Sequence, residues 1–202
     1  MLFRSMSTIT RNGLDKYLTR TENPLVITPI LSSRQFGESS VDVRLGNQFI
    51  VFRAHRFGIF EPAGLTDLEP QQIQERQILP YGEKLVLHPG MLVLGSTFEY
   101  VSMPNDLECQ IEGRSSWARI GLQIATATAI EPGFKGVITL ELSNFSTVPI
   151  KLMPGIRIAQ LLFRKAEPEI PNPYSGNRKY RCPIGPEFSR LQNDYDWEIF
   201  SK

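Results

Sequence analysis

The sequence predicts a mainly β fold, a distorted jelly roll or β-barrel with a short N-terminal helix and a C-terminal arm. Short apolar runs recur about every 8–12 residues from residue 84 onward, the spacing typical of sandwiches and barrels. The 15 Gly and 15 Pro are spread along the chain as turns between these runs. A chain of 202 residues can bury one sizeable core. We therefore expect a single domain over 1–202, in which about 165–202 form the arm.

The first elements are one helix and an apolar strand. Residues 8–20 predict the helix, with Thr8 or Thr10 as its cap, and Asn23-Pro24 ends it. The apolar run over 26–31 predicts the strand.

Alternation predicts the next strand. Residues 41–45 (VDVRL) alternate between apolar and polar side chains, the pattern of a half-buried strand. Gly46-Asn47 is a hairpin signal, so residues 48–53 are expected to return beside it. Residues 54–80 are polar and irregular, with one or two helical turns expected over 69–77.

The remaining strands are separated by Pro-Gly or Pro-Asn turn pairs. They are expected at 84–87, 91–100, 107–112, 121–126, 136–143, 148–152 and 156–163. Residues 115–120 predict a short interrupting helix. After residue 164 the chain carries Pro, Gly, Asn, Tyr, Lys and Arg with little periodicity. This composition predicts an arm that folds over a ligand or a neighbouring subunit.

Composition excludes several classes of protein. The net charge is +1, from 22 basic and 21 acidic side chains, which argues against a broad nucleic-acid surface. No apolar run approaches the ~18 residues of a membrane span. Cys109 and Cys182 are far apart and form no metal or redox motif. We therefore expect a cytoplasmic protein that binds neither nucleic acid nor membranes.

Two segments resemble pieces of a nucleotide site. In 113–119 (GRSSWAR) a glycine precedes two arginines and two hydroxyls at the start of a helical turn, which suits a phosphate. A helix capped by Ser115 with solvated arginines fits as well. In 130–136 (IEPGFKG), Glu131 could accept from a sugar hydroxyl and Phe134 could pack on a ring. An ordinary β-turn explains this second segment better when it is taken alone.

Two further features could carry chemistry. Glu141 interrupts an otherwise apolar strand, and in an interior cleft its pKa would rise, so that it could shuttle protons near neutral pH. If it faces solvent, it is simply the polar partner in an alternating strand. Tyr174, Lys179 and Tyr180 suit a nucleotide lid or belong to a disordered tail.

Zinc-dependent deamination of a nucleobase requires a His or Cys, a nearby Glu and a C-x-x-C pair. The chain has only His55 and His88 and lacks C-x-x-C. Any deamination must therefore activate water with a carboxylate and hydrogen bonds.

Taken in order, these segments resemble the dCTP deaminase branch of the dUTPase-like superfamily, from about residue 8 to about residue 190. The matching stretches are SSVDVRLGNQF (39–49), LHPGMLVLGSTFEYVSMPNDL (87–107), GRSSWARIGL (113–122), TATAIEPGFKGVITLELSN (126–144), PGIRIAQLLF (154–163), YSGNRKY (174–180) and GPEFSR (185–190). The resemblance implies a homotrimer of distorted jelly rolls with active sites between subunits. It also implies Mg²⁺ on the nucleotide triphosphate, no zinc, and hydrolysis of dCTP to dUTP and ammonia.

The resemblance also implies residue roles. Glu141 would be the general base and acid, while Ser115, Arg119 and the backbone carbonyl of Ala127 hold the attacking water and the 4-substituent. Ser115 would also contact phosphate. The substrate-binding residues it implies are Arg114, Ser116, Thr126, Glu131, Phe134, Gln160, Tyr174, Lys179 and Tyr180. Among these, Glu131 would contact the 3′-hydroxyl and Phe134 the deoxyribose.

Three departures from the family pattern leave alternatives open. Glu131 stands where the family has Asp, residues 121–126 are one residue short, and Cys182-Pro183 replaces a phosphate-binding glutamine. A dUTP pyrophosphatase, or a bifunctional enzyme making dUMP from dCTP, is the nearest alternative because the pyrophosphatase branch places its catalytic aspartate at Glu131. A nucleotide sensor without turnover is the alternative from another class. Inhibition by dTTP is common in the family, but no residue of this sequence indicates it.

Overall fold

A computed structural model of the protein describes residues 8–53, 73–125, 129–166, 170, 173–174 and 178–196. The prediction of a mainly β fold is confirmed. Helix α1 (Arg11–Thr19) precedes the strands, with Thr10 at its N-cap position, and the four-residue helix α2 (Ser115–Ala118) interrupts them. No helix in these described ranges combines the length and apolar character required for crossing a membrane.

The strands form three antiparallel sheets. In chain order they are β1 (Val26–Thr28), β2 (Val41–Arg44), β3 (Gln48–Phe52), β4 (Gln74–Ile78), β5 (Leu85–Leu87), β6 (Leu92–Ser102), β7 (Leu107–Gly113), β8 (Leu122–Ala125), β9 (Ala129–Ile130), β10 (Lys135–Asn144), β11 (Ile150–Leu152) and β12 (Arg157–Lys165). The largest sheet runs β4-β3-β6-β10-β8, with β1 also on β6. The second runs β2-β12-β7-β9, and β5 pairs with β11. These sheets stay separate over the described residues, as in a distorted jelly roll.

Buried side chains from all three sheets form one hydrophobic core. Val41 and Val43 on β2 are fully buried, whereas the polar side chains that alternate with them, Asp42 and Arg44, are not. Along β10 the same alternation buries Leu140 and Leu142 and turns Glu141 to the opposite face. Burying one such side chain stabilises the fold by about 1.5–3 kcal/mol, so this alternation fixes which residues remain available for a site.

The predicted hairpin at Gly46-Asn47 is wrong, because β2 and β3 belong to different sheets. The chain leaves one sheet at Leu45, whose N–H donates to the carbonyl of Ile156 (2.9 Å). It joins the other sheet at Gly46, whose N–H donates to the carbonyl of Ser96 (2.7 Å). A Cβ at Gly46 would stand 2.9 Å from Ser96 Oγ. The glycine therefore permits close passage over β6 rather than a two-residue turn.

Two strands were not predicted from the sequence. Strand β4 replaces the irregular segment and part of the helical turns expected at 69–77; it is a polar edge strand paired only with β3 among the described strands. Because its exposed Glu75 and Arg76 need no apolar partners, the alternation that reveals a strand is missing. Strand β9 has two residues, too few to give a pattern. Residues 54–72, also expected to be irregular, lie outside the described ranges.

The described parts of the arm run along β10 of the same chain. The N–H of Val137 donates to the carbonyl of Pro183 (2.9 Å), and the N–H of Glu187 donates to Thr139 Oγ1 (3.3 Å). Gly136 has a φ of 145°, and a Cβ there would stand 2.4 Å from Pro183 Cδ. This glycine therefore lets the arm approach the strand closely, on the side where Glu141 points.

Candidate active site

A cavity of about 580 Å³ lies between β10, β6 and the arm. Its wall carries five side chains that the sequence singled out by type, namely Glu131, Phe134, Glu141 and the tyrosine pair of the arm, Tyr174 and Tyr180. The complete lining is Phe52, Leu92, Leu94, Ile111, Ala129, Ile130, Glu131, Phe134, Val137, Ile138, Thr139, Glu141, Tyr174, Tyr180, Pro183, Glu187, Phe188 and Ser189. Mostly apolar walls with a few polar groups are typical of small-molecule sites.

Glu141 lies on the cavity wall and not in bulk solvent. In the β10 pairing it stands opposite Leu94 of β6 on one side and Ala125 of β8 on the other. Its Oε2 atom is buried and has no hydrogen-bond partner among the described residues. Burial raises the pKa of the Glu141 carboxyl above its usual value, and a hydrogen bond from its own backbone lowers it to a smaller extent. A carboxyl with a raised pKa on a cavity wall is a candidate for proton exchange with a ligand.

Glu131 and Phe134 flank the cavity at the turn between β9 and β10. Glu131 is exposed and pairs with Arg178 of the arm, Oε2 to Nη2 at 3.6 Å. The Phe134 ring packs against Tyr174 with centroids 5.8 Å apart. The acid and the ring thus lie on one cavity edge, and their contact with a sugar stays a prediction.

The polar groups of the arm form hydrogen bonds and an ion pair with one another. Tyr174 Oη donates to the carbonyl of Tyr180 and accepts from its N–H, both at 3.0 Å. Lys179 pairs with Asp194. Tyr180 Oη accepts from the N–H of Arg190 (3.2 Å). Both tyrosines line the cavity and Lys179 does not, so the structure brings two of the three predicted lid residues to it.

The segment 113–119 lies at a different place. Arg114 and Ser116 line a second cavity of about 700 Å³, with Trp117, Arg44 and Arg157 among its other lining residues. Arg114 takes the N-cap position of α2. The alternative interpretation of this segment, a helix capped by Ser115, had placed Ser115 there.

The exposed groups in this segment face away from the core. Ser115, Ser116 and Arg119 are all exposed, while Arg114 is half-buried. Arg114 is not simply solvated, because its Nε lies 3.5 Å from Asp42 Oδ2 and its Nη1 donates to the carbonyl of Arg157 (3.3 Å).

Within the described residues, the two cavities share no lining residue. One chain therefore does not bring Ser115 and Arg119 into the cavity that holds Glu141. Gln160 lies on β12 opposite Asp42 and lines neither cavity. The predicted residues Thr126 and Ala127 lie outside the described ranges.

Several lining residues were missed by sequence reasoning. Thr139 shares the face of β10 with Glu141, a position that the strand period could have shown. Glu187 comes from the arm, where no periodicity indicates direction. In the second cavity, Arg44 follows from the alternation of β2, whereas Arg157 on β12 had no signal in its apolar surroundings.

A magnesium ion carried by a nucleotide triphosphate requires phosphate-binding donors from the protein rather than a carboxylate cage. The described residues contain no cluster of three or more His, Cys, Asp and Glu side chains that could hold a metal ion. They offer instead guanidinium and hydroxyl donors at Arg114 and Ser116. The donor set fits an ion bound through phosphates.

Comparison with known proteins adds an independent finding. The family model described as "DCD: dCTP deaminase-like" matches residues 10–166. A protein of Methanobrevibacter smithii named "dCTP deaminase, dUMP-forming" is 37% identical over 195 residues, covering 95% of this chain and 98% of that protein. A protein of the same name from Dictyoglomus thermophilum is 42% identical, covering 90% and 93%. A "dCTP deaminase" of Natronomonas pharaonis is 39% identical, covering 87% and 91%.

Among solved structures, the 2′-deoxycytidine 5′-triphosphate deaminase from Agrobacterium tumefaciens matches 80% of this chain with a TM-score of 0.59 at 22% identity. The match covers 49% of that longer chain, and at this identity it supports the fold alone. The long family match and the near full-length relatives, on top of this fold, show that the chain belongs to the dCTP deaminase family.

Proposed function

We propose that the protein hydrolyses dCTP to dUTP and ammonia, with Glu141 as the general base and acid. The observation that carries this proposal is the Glu141 carboxyl group in an apolar cavity, with one buried oxygen that no described residue satisfies. The names of the similar proteins supply the substrate class.

The reaction requires one group that takes up and returns protons. The Glu141 carboxylate removes a proton from water as the oxygen bonds to C4 of the cytosine ring. The protonated carboxyl then donates to the 4-amino group, the C4–N bond breaks and ammonia leaves. The second proton of the water moves from the C4 hydroxyl group to N3 of the ring as the C4 carbonyl forms, so that both protons of the water are accounted for. A carboxyl with a raised pKa suits both directions of this transfer.

The active site is built from two copies of the chain in a homotrimer. Ser115 and Arg119 are exposed and stand apart from the chain's own Glu141 cavity. A neighbouring copy supplies them, and they hold the attacking water together with the carbonyl of Ala127. Symmetric oligomers commonly place sites at such interfaces. The exposed apolar side chains near this segment, Ile120 (50% exposed) and Phe145 (74%), support a protein partner there.

Most of the proposed substrate contacts come from residues that line the two cavities, and Gln160 and Lys179 add contacts from beside them. Arg114, Ser116 and Gln160 hold the triphosphate, whose Mg²⁺ supplies charge neutralisation when it is bound. Glu131 and Phe134 contact the sugar, and Thr126 is proposed to contact the cytosine base. The arm closes the site through Tyr174, Lys179 and Tyr180; Lys179 exchanges Asp194 for a phosphate.

A second candidate, a bifunctional enzyme that makes dUMP, is favoured by one observation. Glu131 lines the same cavity as Glu141, so a second carboxylate is available to activate water for attack on the α-phosphate. Several of the similar proteins, including those of Methanobrevibacter smithii and Dictyoglomus thermophilum, carry the name dUMP-forming.

The experiment that separates these candidates incubates the protein with Mg²⁺ and dCTP and quantifies ammonia, dUTP, dUMP and pyrophosphate. Ammonia with dUTP supports the deaminase. Ammonia with dUMP and pyrophosphate in equal amounts supports the bifunctional enzyme. Tight dCTP binding without any product would contradict both and favour a nucleotide sensor.

A further inference from the structure

One carboxylate joins two arginines at the second cavity. Asp42 Oδ2 accepts a hydrogen bond from Arg157 Nη1 at 3.0 Å and lies 3.5 Å from Arg114 Nε. Both arginines line the cavity. The Asp42 side chain is only 15% exposed, so the pair interactions are partly shielded from water and salt.

Further hydrogen bonds fix the two arginines relative to each other. The carbonyl of Arg157 accepts from Arg114 Nη1 (3.3 Å) and from Trp117 Nε1 (3.0 Å). Arg157 Nη1 also donates to the carbonyl of Arg34 (3.0 Å). Side chains held in this way lose little further freedom when an anion arrives.

The charges in this cavity do not balance. A third guanidinium, that of Arg44, lines it and donates from Nη1 to the carbonyl of Gly155 (2.9 Å). The Nε of Arg44 is buried without a hydrogen-bond partner among the described residues. Asp42 interacts with Arg114 and Arg157, and the buried carboxyl of Glu99 interacts electrostatically with Arg44. No acidic side chain is among the described residues that line the cavity, so its three guanidinium groups leave an excess of positive charge suited to a polyanion.

We propose that Arg157 is a further phosphate-binding residue and that Asp42 is the positioning residue that holds Arg114 and Arg157 side by side. The inference rests on the proposed function, in which Arg114 and Gln160 bind the triphosphate. Gln160 supports it, because it lies directly opposite Asp42 across the β2–β12 pairing and three residues from Arg157 on the same strand. If Asp42 and its two arginines only stabilised the fold, their replacement would affect the binding of ligands with one and with three phosphates alike.

The test measures equilibrium binding in a Glu141→Gln parent, so that no ligand is turned over. The ligands are dCTP, dCMP and inorganic tripolyphosphate, and the variants are Arg157→Gln, Arg157→Lys and Asp42→Asn. Arg164→Gln is the matched control, because Arg164 lies on the same strand and lines neither cavity. Thermal unfolding of each variant is recorded alongside.

We expect Arg157→Gln to raise Kd for dCTP and tripolyphosphate about tenfold, the loss of one charge-assisted hydrogen bond, with less than a twofold change for dCMP. Arg157→Lys should recover part of the loss. Asp42→Asn should act on the same two ligands, and its effect should not add to that of Arg157→Gln.

The inference is overturned if Arg157→Gln and Asp42→Asn leave tripolyphosphate binding unchanged, or weaken dCMP binding as much as dCTP binding. A parent that binds tripolyphosphate but discriminates against dCTP would instead refute the proposed function and leave the anion site standing.

Discussion

Glu141 on β10 stands directly opposite Leu94 on β6, and both side chains line the same cavity. An acidic group thus shares its wall with an apolar one, and burial raises the pKa of its carboxyl. Thr139, on the same face of β10, accepts a hydrogen bond from the arm. This relationship turns one polar position of an alternating strand into the centre of a site.

Replacing Glu141 by Gln should abolish proton transfer while preserving the shape of the cavity. We expect kcat to fall by about 10²–10⁴-fold, with Kd for dCTP within about threefold of the wild-type value. Steady-state kinetics and calorimetry measure the two effects. Glu83→Gln, an exposed acid that lines neither cavity, should leave both unchanged. Near-normal turnover in Glu141→Gln would remove Glu141 from the mechanism.

The pH profile of deamination should have an acidic limb set by Glu141. The group acts first as a base, so it must be unprotonated in the free enzyme. Because its pKa is raised, it loses its proton at a higher pH than an ordinary glutamate. We expect kcat/KM to decline as pH falls through the raised pKa. A profile that stays flat down to the pKa of an exposed glutamate would contradict the tuning of this group.

The free energy of unfolding should depend on pH through Glu141, and the raised pKa of this group fixes the direction of the change. The pKa of Glu141 is higher in the folded than in the unfolded chain, so its contribution is fully present below the unfolded value of 4.5 and is lost as pH rises through the folded value. Glu141→Gln should therefore match the wild-type Tm most closely near pH 4. It should become relatively more stable towards neutral pH. Thermal unfolding across pH tests this, and a constant difference in Tm would refute it.

Gly136→Ala should detach the arm from β10. An added Cβ would stand 2.4 Å from Pro183 Cδ, at a positive φ that costs an alanine about 1–2 kcal/mol on its own. We expect faster proteolysis of the arm and weaker dCTP binding. Gly82→Ala is the matched control, because Gly82 has a φ of 101° with nothing within 4 Å of the added Cβ. Equal effects of both variants would mean that backbone strain, and not the arm contact, is responsible.

The strand pattern was predictable where one face of a strand is buried. Leu140 and Leu142 flank Glu141 with the period of two that sequence reasoning recognises. The hairpin prediction at Gly46-Asn47 was wrong, because a glycine that allows close approach to β6 looks the same in sequence as one that makes a hairpin. Strand β4 was not predicted, because an edge strand with exposed polar side chains has no apolar period.

The grouping of the candidate site residues was predictable only in part. Glu131, Phe134, Glu141 and the two tyrosines meet in one cavity as expected, whereas Ser115 and Arg119 lie apart from it. Tertiary pairing decides such groupings. Asp42 and Arg157 are 115 residues apart in sequence, and nothing local to either residue indicates their contact.

Subunit mixing tests most directly whether Glu141 and Arg119 of different copies form one active site. Glu141→Gln and Arg119→Ala, each expected to be inactive alone, are refolded together in equal amounts, and ammonia release from dCTP is measured. Random mixing in the proposed cyclic trimer should leave about one quarter of the sites with both native residues, so activity should return to about that fraction of wild type. If verified mixed trimers stay inactive, the two residues do not complement each other between copies.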